Sequence, residues 1–570
     1  MGKVHASIIH FSLGNQAPLA IALGFAAIVA NAQPSTSPSA APPNAAASVT
    51  FRLSDIQLVG ATLLAPAEWR GAAQGFLGKD ITFAELESAR AAIEARFHAD
   101  GWRLVTVRIP AQSNSDGVIR MDVVEPRLSR VALKNTRHNT NQTTSRNPAN
   151  SRSALPALME GSTPNLNTLD KQLVIANENG SRRSQVAFAL EAGAPGKARN
   201  LVAEILTDEQ SSSRWQAFID NTGSKQTGHL RYGLAFRHDD VWGLDHQISV
   251  QVSSAPHDED DPQKPSLLPS SKVQIFGLGY RIALPESATF IDATLAYSNV
   301  DSGSIANVFT VAGQGTTASL KYTRLLDRVG GWEPRVFAGI DWRHYDSQLL
   351  FGGVNLAVPI ELHPLQLGLS ASKAATPQDA LSANVYASLH VNLPGGSSGS
   401  QVSFTATRLD ATAHYKLLRF GSGVSFPVGS WQLNAAVDAQ LTRDLLVSGE
   451  QLAAGGASTV RGFSERGIGG DSGLRLQIEA LSPNWLAGQD GRGGQETSLR
   501  GVVFLDAASA HRNRPAVFEL SNASIASAGA GLRGVWGPSV WRLDLAKAIH
   551  QNTQAPRVRG AVHFSAAVSF

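Results

Sequence analysis

The sequence predicts a membrane β-barrel of about sixteen antiparallel strands, preceded by two small α/β domains. Three observations lead to this fold class. From about residue 213 onward, segment after segment alternates apolar and polar side chains with a period of two, between turns rich in Gly, Pro, Asp and Ser. The last segment ends the chain on Phe570. Residues 51–209 instead mix helical and strand-like patterns. A closed barrel of alternating strands satisfies every backbone hydrogen bond in lipid.

The composition fits a folded chain and excludes several classes of site. Hydrophobic residues make up 43% of the 570 residues, which excludes global disorder. The formal net charge of +3 is too small for a dedicated nucleic-acid-binding surface. Because the sequence has no cysteine, it has no disulfides, no thiol catalysis and no cysteine-ligated metal centre. After the N-terminus no uninterrupted apolar run reaches about 18 residues, so no transmembrane helix is expected there.

Residues 1–32 have the pattern of a cleaved export signal. Lys3 precedes the apolar stretch 19–29, and Ala30 and Ala32 are the small residues that a signal peptidase requires. An uncleaved anchor or a buried helix is the alternative. Residues 33–50 are rich in Pro, Ser and Ala without periodicity, which predicts a flexible linker that contains no amphipathic helix. Export of a chain without cysteine indicates the envelope of a bacterium with two membranes.

Residues 51–126 form the first predicted α/β domain, in the order strand, helix, helix, strand, strand. Thr82 and Glu85 are spaced as a capping box at the start of a helix, and Gly101 stands where a left-handed C-terminal cap is expected. The remaining signals are a strand over 56–60, a buried helical stripe of Leu86, Ala89, Ile93 and Phe97, and strands over 102–109 and 118–124.

Residues 127–209 repeat this order more loosely as a second α/β domain. Val131 and Leu133 indicate a strand, and further strands are expected over 185–190 and 201–206. The helical stripe consists of Leu166, Leu169 and Leu173. Residues 135–153 are almost free of apolar side chains, which predicts a long exposed loop. Two ordinary soluble α/β domains would show the same patterns.

The barrel is predicted over residues 210–570. A soluble sandwich or propeller also alternates, so a single strand does not decide between these folds. The C-terminal segment favours the membrane: Phe564, Val568 and Phe570 share one apolar parity, whereas His563 and Ser565 take the other. One face of this strand can meet lipid and the other a wet lumen. A terminal strand of this kind resembles the signal by which outer-membrane barrels are recognised for assembly.

The motif Val460-Arg461-Gly462-Phe463 lies in a glycine-rich loop, residues 449–469. The loop connects strands predicted over 429–443 and 470–481. An arginine in such a loop is ordinarily a solvated surface residue, which is the alternative interpretation here. The parity of the neighbouring strands argues for a different position.

Two carboxylates are predicted to face the lumen on adjacent strands. Alternation points Glu479 inward on the strand after the loop, and Phe504 and Asp506 inward on the next strand. If the loop folds into the pore, the Arg461 guanidinium can bind between the carboxylates, with bidentate contact to at least one of them. The sequence therefore predicts an ion pair between the loop and the wall.

The whole arrangement resembles the outer-membrane transporters of two-partner secretion, the haemolysin and filamentous-haemagglutinin secretion proteins. In that family the two α/β domains are POTRA domains. The loop arginine and the aspartate of the family's Phe-x-Asp-x-Gly motif correspond to Arg461 and Asp506, and Ala508 stands where the final glycine would be. Further matching positions are Gly60, residues 78–82, Gly101, Pro110, Gln112, residues 166–169, residues 220–223 and residues 227–228.

The resemblance implies a location in the outer membrane of a Gram-negative bacterium, with the POTRA domains in the periplasm. It implies recognition of a large unfolded exoprotein, of haemolysin or adhesin type, by the POTRA domains and its export through the lumen to the cell surface. Outer-membrane lipids, and the barrel-assembly machinery during biogenesis, are the other implied partners. No cofactor, metal or nucleic acid is expected. The linker 33–50 predicts no counterpart of the pore-plugging helix that some family members carry.

The sequence offers no catalytic constellation, so no enzyme is expected. Residues 395–399 match G-x-S-x-G, but they are expected to form a Gly/Ser loop with no helix after it. The carboxylate run at 257–261 is expected to be a solvated loop rather than a calcium site. Two rival functions remain. One is a barrel-assembly factor, which usually carries more POTRA domains, and the other is a passive porin, which needs neither these domains nor the loop motif.

Overall fold

A computed structural model describes the chain from residue 50 onward, except for several short segments. The described residues are 50–113, 116–135, 153–191, 200–223, 228–257, 266–269, 273–300, 303–305, 309–311, 314–346, 350–351, 354–355, 358–486, 497–517 and 519–570. The predicted signal segment 1–32, the linker up to residue 49 and most of the polar segment 135–153 lie outside these residues. Two α/β domains precede a closed barrel.

The first domain contains a three-stranded sheet, a separate strand pair and two helices. In the sheet, β2 pairs in parallel with β5, and β4 pairs antiparallel with β5. The separate pair is β1 with β3. The elements are β1 (Thr50–Leu53), β2 (Asp55–Val59), α1 (Pro66–Ala73), a 3₁₀ turn (Gln74–Phe76), β3 (Lys79–Thr82), α2 (Phe83–Ala99), β4 (Thr106–Arg108) and β5 (Val118–Val124).

Helix α2 begins and ends as its sequence predicts. The Glu85 N–H donates to Thr82 Oγ1, and the Thr82 N–H donates to the Glu85 carboxylate at 2.7 Å. The stripe Leu86, Ala89, Ile93 and Phe97 is buried in the domain core. Gly101 adopts φ +95° after the helix.

The strand predicted over 102–109 is wrong for its first half. The Trp102 N–H donates to the Phe97 carbonyl, and the Val105 N–H donates to the Trp102 carbonyl, so residues 102–105 form a turn that leaves the helix. Only Thr106–Arg108 is a strand. The pair of β1 with β3 was not predicted, because Ile81 is the only buried residue of β3 and gives no alternation to read.

The second α/β domain has the same pairing pattern as the first. Strand β6 pairs in parallel with β8, and β7 pairs antiparallel with β8. Leu169 of the predicted stripe lies in the core of this domain. The elements are β6 (Leu128–Asn135), α3 (Leu166–Asn177), β7 (Arg182–Glu191) and β8 (Asn200–Glu209). All the predicted strands and the helix of residues 127–209 are therefore present, with slightly longer bounds.

Sixteen antiparallel strands close into a barrel, as the alternation predicts. Each pairs with its neighbours in sequence, and the last pairs with the first over five residues. The strands are β9 (Ser213–Asp220), β10 (Arg231–Val241), β11 (His246–Ser254), β12 (Ile275–Leu284), β13 (Thr289–Ser298), β14 (Gly315–Leu325), β15 (Glu333–Tyr345), β16 (Ile360–Leu362 and Pro364–Lys373), β17 (Ser382–Asn392), β18 (Lys416–Val428), β19 (Trp431–Leu441), β20 (Ser472–Leu481), β21 (Thr497–His511), β22 (Asn522–Trp536), β23 (Ser539–Asn552) and β24 (Gly560–Ser569).

The side chains of the wall alternate between the outside and the lumen. On β21, Val503 is 50% exposed and Leu505 is 40% exposed, whereas Phe504 and Asp506 between them are buried. The outer face is therefore apolar although it is accessible, which is the arrangement that lipid stabilises. The fold prediction is confirmed for the barrel, and the predicted inward parity of Phe504 and Asp506 agrees with their burial.

The second domain is docked on one rim of the barrel, called here the near rim. The C-terminal end of α3 places Glu178 between two inward arginines of the wall, 3.0 Å from Arg281 Nη1 on β12 and 2.5 Å from Arg335 Nη1 on β15. Arg182 forms a further ion pair of 2.9 Å with Asp245 in the turn after β10. Ile175 packs against Phe290 and its neighbours on the wall. Both charge and apolar packing fix this domain to the barrel.

At the far rim, connections between strands carry additional short elements. Three short pairs are Pro256–His257 with Ser266–Pro269, Gly303–Ile305 with Phe309–Val311, and Leu350–Phe351 with Val354–Asn355. A helix, α4 (Gln401–Thr407), follows the 395–399 segment, so the expectation of no helix there was wrong. The Ser400 hydroxyl accepts the Ser403 N–H and so caps the start of α4. This cap was missed because the segment is rich in Gly and Ser, which is typical of a loop. The segment follows an irregular stretch after β17 instead of emerging from a strand, so it is not a nucleophile elbow.

Candidate functional site

The chain between β19 and β20 folds back into the barrel from the far rim. We call residues 442–471 the inward loop. A two-stranded ribbon, Leu452–Ala454 paired with Ile468–Gly470, carries its tip. At the tip, Gly462 adopts φ +88°, a conformation that favours glycine, next to Arg461. Val460, Arg461 and Phe463 are all buried, so the predicted motif is enclosed by protein.

Arg461 is bound to Asp506 by three hydrogen bonds. Its Nε and Nη2 atoms donate to the two carboxylate oxygens of Asp506 at 2.7 Å each. Its backbone N–H donates to the same carboxylate at 3.1 Å. Both side chains are almost completely buried, with exposures of 3% and 0%. Parallel charge-assisted bonds of this kind are strong and fix the orientation of the guanidinium.

Glu479 completes the predicted set from the adjacent strand. Its Oε1 atom accepts a hydrogen bond of 2.6 Å from Arg461 Nη1. Unlike Asp506, the Glu479 side chain is 26% exposed. The structure therefore brings together the arginine and both carboxylates that sequence parity places in the lumen.

Two further charged residues belong to this network and were not predicted. Arg533 on β22 binds Asp544 on β23, with distances of 2.6 and 3.2 Å, and approaches Glu479 at 3.4 Å. Asp544 Oδ2 also lies 3.5 Å from Arg461 Nη1. Two guanidinium groups thus share three carboxylates. Both residues lie on lumen-facing positions of their strands, and this parity was the signal that could have found them.

Phe504 supports Arg461 from its flat side. The guanidinium carbon lies 3.5 Å from the centre of the Phe504 ring, within the range of a cation–π contact. An apolar cluster beside the ion pair holds Val460 and Phe463 of the tip against Ala508 and Ile525 of the wall. The methyl group of Ala508, at the position where the resemblance predicts glycine, packs into this cluster.

The last two strands also hold the tip. The Gly462 N–H donates to His563 Nε2 on β24 at 2.9 Å. A Cβ atom at Gly462 would lie 3.1 Å from the Cβ of Ala546 on β23, so the close approach of this loop favours glycine. His563 was placed on the polar parity of its strand, but its contact with the motif was not predicted.

A cavity of about 1940 Å³ lies in the lumen beside the loop tip. It extends from Glu178 and Arg214 at the near rim to Gln314 and Pro556 at the far rim. Its wall consists mainly of residues on β9–β13 and β22–β24, and Phe463 to Glu465 of the inward loop border it. Charged and uncharged polar groups line it together with apolar ones, as in a water-filled passage.

The three residues proposed as a terminal assembly signal lie apart from this site. Phe564 and Val568 are on β24, and Phe570 follows its end. Phe570 and Trp215 of β9 exchange two backbone hydrogen bonds of 2.9 Å across the closure of the barrel. The Phe570 side chain points outward and is 70% exposed. These positions leave an aromatic group on the outer face at the near rim.

No group of metal-ligating side chains is found among the residues that the structure describes. In the same part of the chain, none of the helices is long and apolar enough to cross a membrane. Most of the carboxylate run 257–261 lies outside the described residues.

Comparisons with known proteins identify the fold and the family. Residues 203–534, more than half of the chain, match the family described as haemolysin secretion/activation protein ShlB/FhaC/HecB. Residues 51–126 match the ShlB-type POTRA domain. No protein of curated function is significantly similar in sequence.

Two solved structures resemble the whole chain. CdiB from Escherichia coli is 19% identical, with 94% of this chain and 93% of that chain covered and a TM-score of 0.70. CdiB from Acinetobacter baumannii is 13% identical, with 95% of each chain covered and a TM-score of 0.69. These two likenesses support the fold, and the family match supports the function. The chain therefore belongs to the ShlB/FhaC/HecB family of haemolysin secretion/activation proteins and is a two-partner secretion transporter of the outer membrane.

Proposed function

We propose that this transporter takes a large, unfolded exoprotein of haemolysin or adhesin type from the periplasm and releases it at the cell surface. The observation that carries this proposal is a loop seated in the lumen by a buried ion pair, next to a continuous cavity that reaches both rims. A passive porin needs no such seated loop. An extended polypeptide fits a polar passage of this kind because its backbone groups can exchange water for lumen side chains.

The two α/β domains are proposed to recognise the exoprotein. The second domain has the pairing pattern of the first, which supports its assignment as another POTRA domain over residues 127–209. The outer edge of β4 is covered, because the Val107 N–H donates to Glu94 and the Val107 carbonyl accepts from Arg90. Within the described residues, β7 pairs with one neighbour only and offers a free edge beyond Ser184, whose backbone groups bond to Asn177. An extended chain can add to such an edge through main-chain hydrogen bonds.

The Arg461 network is proposed to hold the inward loop in the position that transport requires. Removing one partner of a largely buried ion pair costs about 3–5 kcal/mol, because the other charge is left without compensation. A free-energy change of this size is sufficient to move a loop from one position to another. Arg461, Asp506 and Glu479 thus act on transport through the position of the loop and perform no chemistry.

The remaining partners and the location are proposed on the same basis. Residues 1–32 direct export, residues 33–50 link to the periplasmic domains, and residues 210–570 form the barrel in outer-membrane lipid. The terminal strand with Phe564, Val568 and Phe570 is the part that the barrel-assembly machinery would recognise during biogenesis. The outward Phe570 ring favours such recognition.

Secretion of a partner protein tests the proposal against its two rivals. The full chain is expressed in an outer membrane together with a candidate exoprotein, a large exported protein encoded by a neighbouring gene. Export predicts that this protein appears outside the cell only when the transporter is present. If instead the amounts of other barrel proteins in the membrane depend on the chain, it is an assembly factor. If only small solutes cross, it is a porin, and the proposal is wrong.

A further inference from the structure

A second buried charge holds the inward loop far from its tip. Glu450 lies in the 3₁₀ turn Ser448–Glu450 at the base of the loop and is 1% exposed. Its Oε1 atom lies 2.5 Å from Arg343 Nη1 on β15 and accepts a hydrogen bond of 3.3 Å from the Tyr345 hydroxyl. Its other oxygen lies 3.6 Å from Arg419 Nη2 on β18. Strand β15 is four strands away from β19, where the loop begins.

The backbone around Glu450 is fitted closely to this side of the wall. A Cβ atom at Gly449 would lie 2.4 Å from the Tyr345 ring, so the turn packs directly on that ring. The Gln440 side chain donates to the Glu450 carbonyl at 2.9 Å and to the Asp471 carbonyl at 3.0 Å. One amide group thus ties together the outgoing and returning ends of the inward loop.

The space on the β15–β19 side of the lumen is filled at the far rim. Phe404 of α4 is fully buried in a cluster with Leu446 of the inward loop and Tyr415. Arg408, at the end of α4, pairs with both carboxylate oxygens of Asp471, at 2.5 and 3.0 Å. The connection between β17 and β18 therefore closes this side together with the base of the inward loop.

The tip of the same loop is held on the other side of the lumen. Its partners Glu479, Asp506, Asp544 and His563 lie on β20, β21, β23 and β24. The inward loop consequently crosses the barrel, with its base against β15 and β18 and its tip against the last strands. The cavity lies beyond the tip, along β9–β13 and β22–β24.

We infer that Glu450 is a positioning residue that makes the inward loop a partition, which confines an extended polypeptide to the half of the lumen bounded by β22–β24 and β9–β13. This inference rests on the proposed export function, but it concerns the route and not the occurrence of export. The charge at Glu450 keeps the base of the loop on the β15 wall. Without that charge the loop can lean across the lumen, and both halves become accessible.

Single cysteines test the partition, because the natural chain has no cysteine and each new thiol is unique. Ser249→Cys on β11 lies in the wall of the cavity, and Ser388→Cys on β17 lies at a buried position on the filled side. The purified full chain in detergent is treated with a charged, water-soluble methanethiosulfonate. We expect Ser388→Cys to react roughly tenfold or more slowly than Ser249→Cys, because access requires local opening. Equal rates would overturn the partition.

The variant Glu450→Gln then tests the role of the charge in both cysteine backgrounds. It keeps the size of the side chain, and we expect it to accelerate labelling of Ser388→Cys roughly tenfold while Ser249→Cys is unchanged. Glu450→Asp, which retains the charge, should restore slow labelling at least in part. The matched control is Glu519→Gln, on the connection between β21 and β22. Unchanged labelling in Glu450→Gln, with heat-modifiable mobility showing an intact barrel, would refute the role of Glu450.

Channel conductance gives a second reading that needs no exoprotein. In a planar bilayer, Glu450→Gln should increase the potassium conductance or make it fluctuate between levels. Glu519→Gln should leave the conductance unchanged. If the two cysteines label at different rates but the chain does not secrete the exoprotein, the proposed export function is wrong and the partition stands. If the chain secretes normally but the two cysteines label equally, only the proposed route through the lumen is wrong.

Discussion

The guanidinium carbon of Arg461 lies 3.5 Å from the centre of the Phe504 ring, while the edge of the same group binds Asp506. One group is therefore held in two perpendicular directions, by an aromatic face and by a bidentate carboxylate. Only a planar cation with several donors can satisfy both contacts, and a lysine ammonium cannot. This relationship explains why an arginine occupies the tip of the loop.

Arg461→Ala should leave the barrel inserted but abolish secretion. The substitution leaves Asp506 buried and without its cation, at a cost of about 3–5 kcal/mol. The loop is then no longer held in its position in the lumen. The heat-dependent shift in electrophoretic mobility shows whether the barrel is folded, and the amount of exoprotein in the medium measures transport. Arg443→Ala removes an exposed arginine from the same loop and serves as the control. Normal secretion by Arg461→Ala would show that transport does not require the ion pair that holds the loop.

Phe504→Leu should have a smaller effect than Arg461→Ala. It removes the aromatic face, a loss of about 0.5–2 kcal/mol, but keeps an apolar side chain and leaves the carboxylates in place. We expect a lower midpoint in thermal unfolding and reduced but measurable secretion. A complete loss of secretion with an unchanged midpoint would mean that the ring contacts the exoprotein itself.

Asp506→Asn should impair transport more than Glu479→Gln does. Asp506 accepts three bonds from Arg461 and is fully buried, whereas Glu479 accepts one and is partly exposed to water. Exposure to water weakens a charge pair. Secretion measured side by side gives the ranking. The opposite order would place the main anchor at Glu479.

Glu178→Gln should loosen the second domain from the near rim. The carboxylate bridges Arg281 and Arg335, and its neutral analogue cannot compensate either guanidinium fully. Distances between spin labels on two introduced cysteines, one in α3 and one in the barrel, should broaden. Glu204→Gln is the control, because Glu204 pairs with Lys134 inside its own domain. An unchanged distance distribution would show that apolar packing alone holds the domain.

The start of α2 should lose stability in acid. The backbone N–H and hydroxyl of Thr82 hold the pKa of Glu85 below its ordinary value of 4.5. A group whose pKa is lower in the folded state stabilises above the unfolded pKa, and this contribution is lost as pH falls through the folded pKa. Hydrogen-exchange protection of the first turn of α2 should therefore fall below pH 4.5 in the natural chain, but not in Glu85→Gln.

The acidic control is Asp80→Asn, in the strand just before the cap. It should keep the pH dependence of the natural chain, since no bond from Asp80 to the cap is seen in the described residues. The same acid-induced loss in Glu85→Gln would assign it to another group.

Sequence periodicity was sufficient for the barrel and for part of the site. A strand in lipid must alternate, so the parity of Glu479, Phe504 and Asp506 follows from their positions alone. That parity, with one arginine in a glycine loop, was enough to predict which three charges meet. The number of strands also follows from the alternation, because each turn interrupts the pattern and so marks the end of one strand and the start of the next.

The rest of the network depends on contacts that the local sequence does not specify. Asp544 and His563 have the correct parity, but many polar residues do, and only the path of the loop selects these two. Glu450 was not predicted because it reaches β15, more than a hundred residues earlier in the chain. The prediction of a strand over residues 102–105 was wrong, because apolar residues that alternate along the sequence can also be buried by a turn.

The hydrogen bond from Gly462 to His563 joins residues 101 positions apart, and its acceptor is on the final strand. The loop tip therefore cannot dock completely until the C-terminal end of the chain is in place, because its partners Asp544 and His563 lie on the last two strands. Docking marks the completion of assembly. A chain shortened by its last strand would have a tip that lacks the His563 contact, and faster protease cleavage within the loop would distinguish unfinished molecules from finished ones.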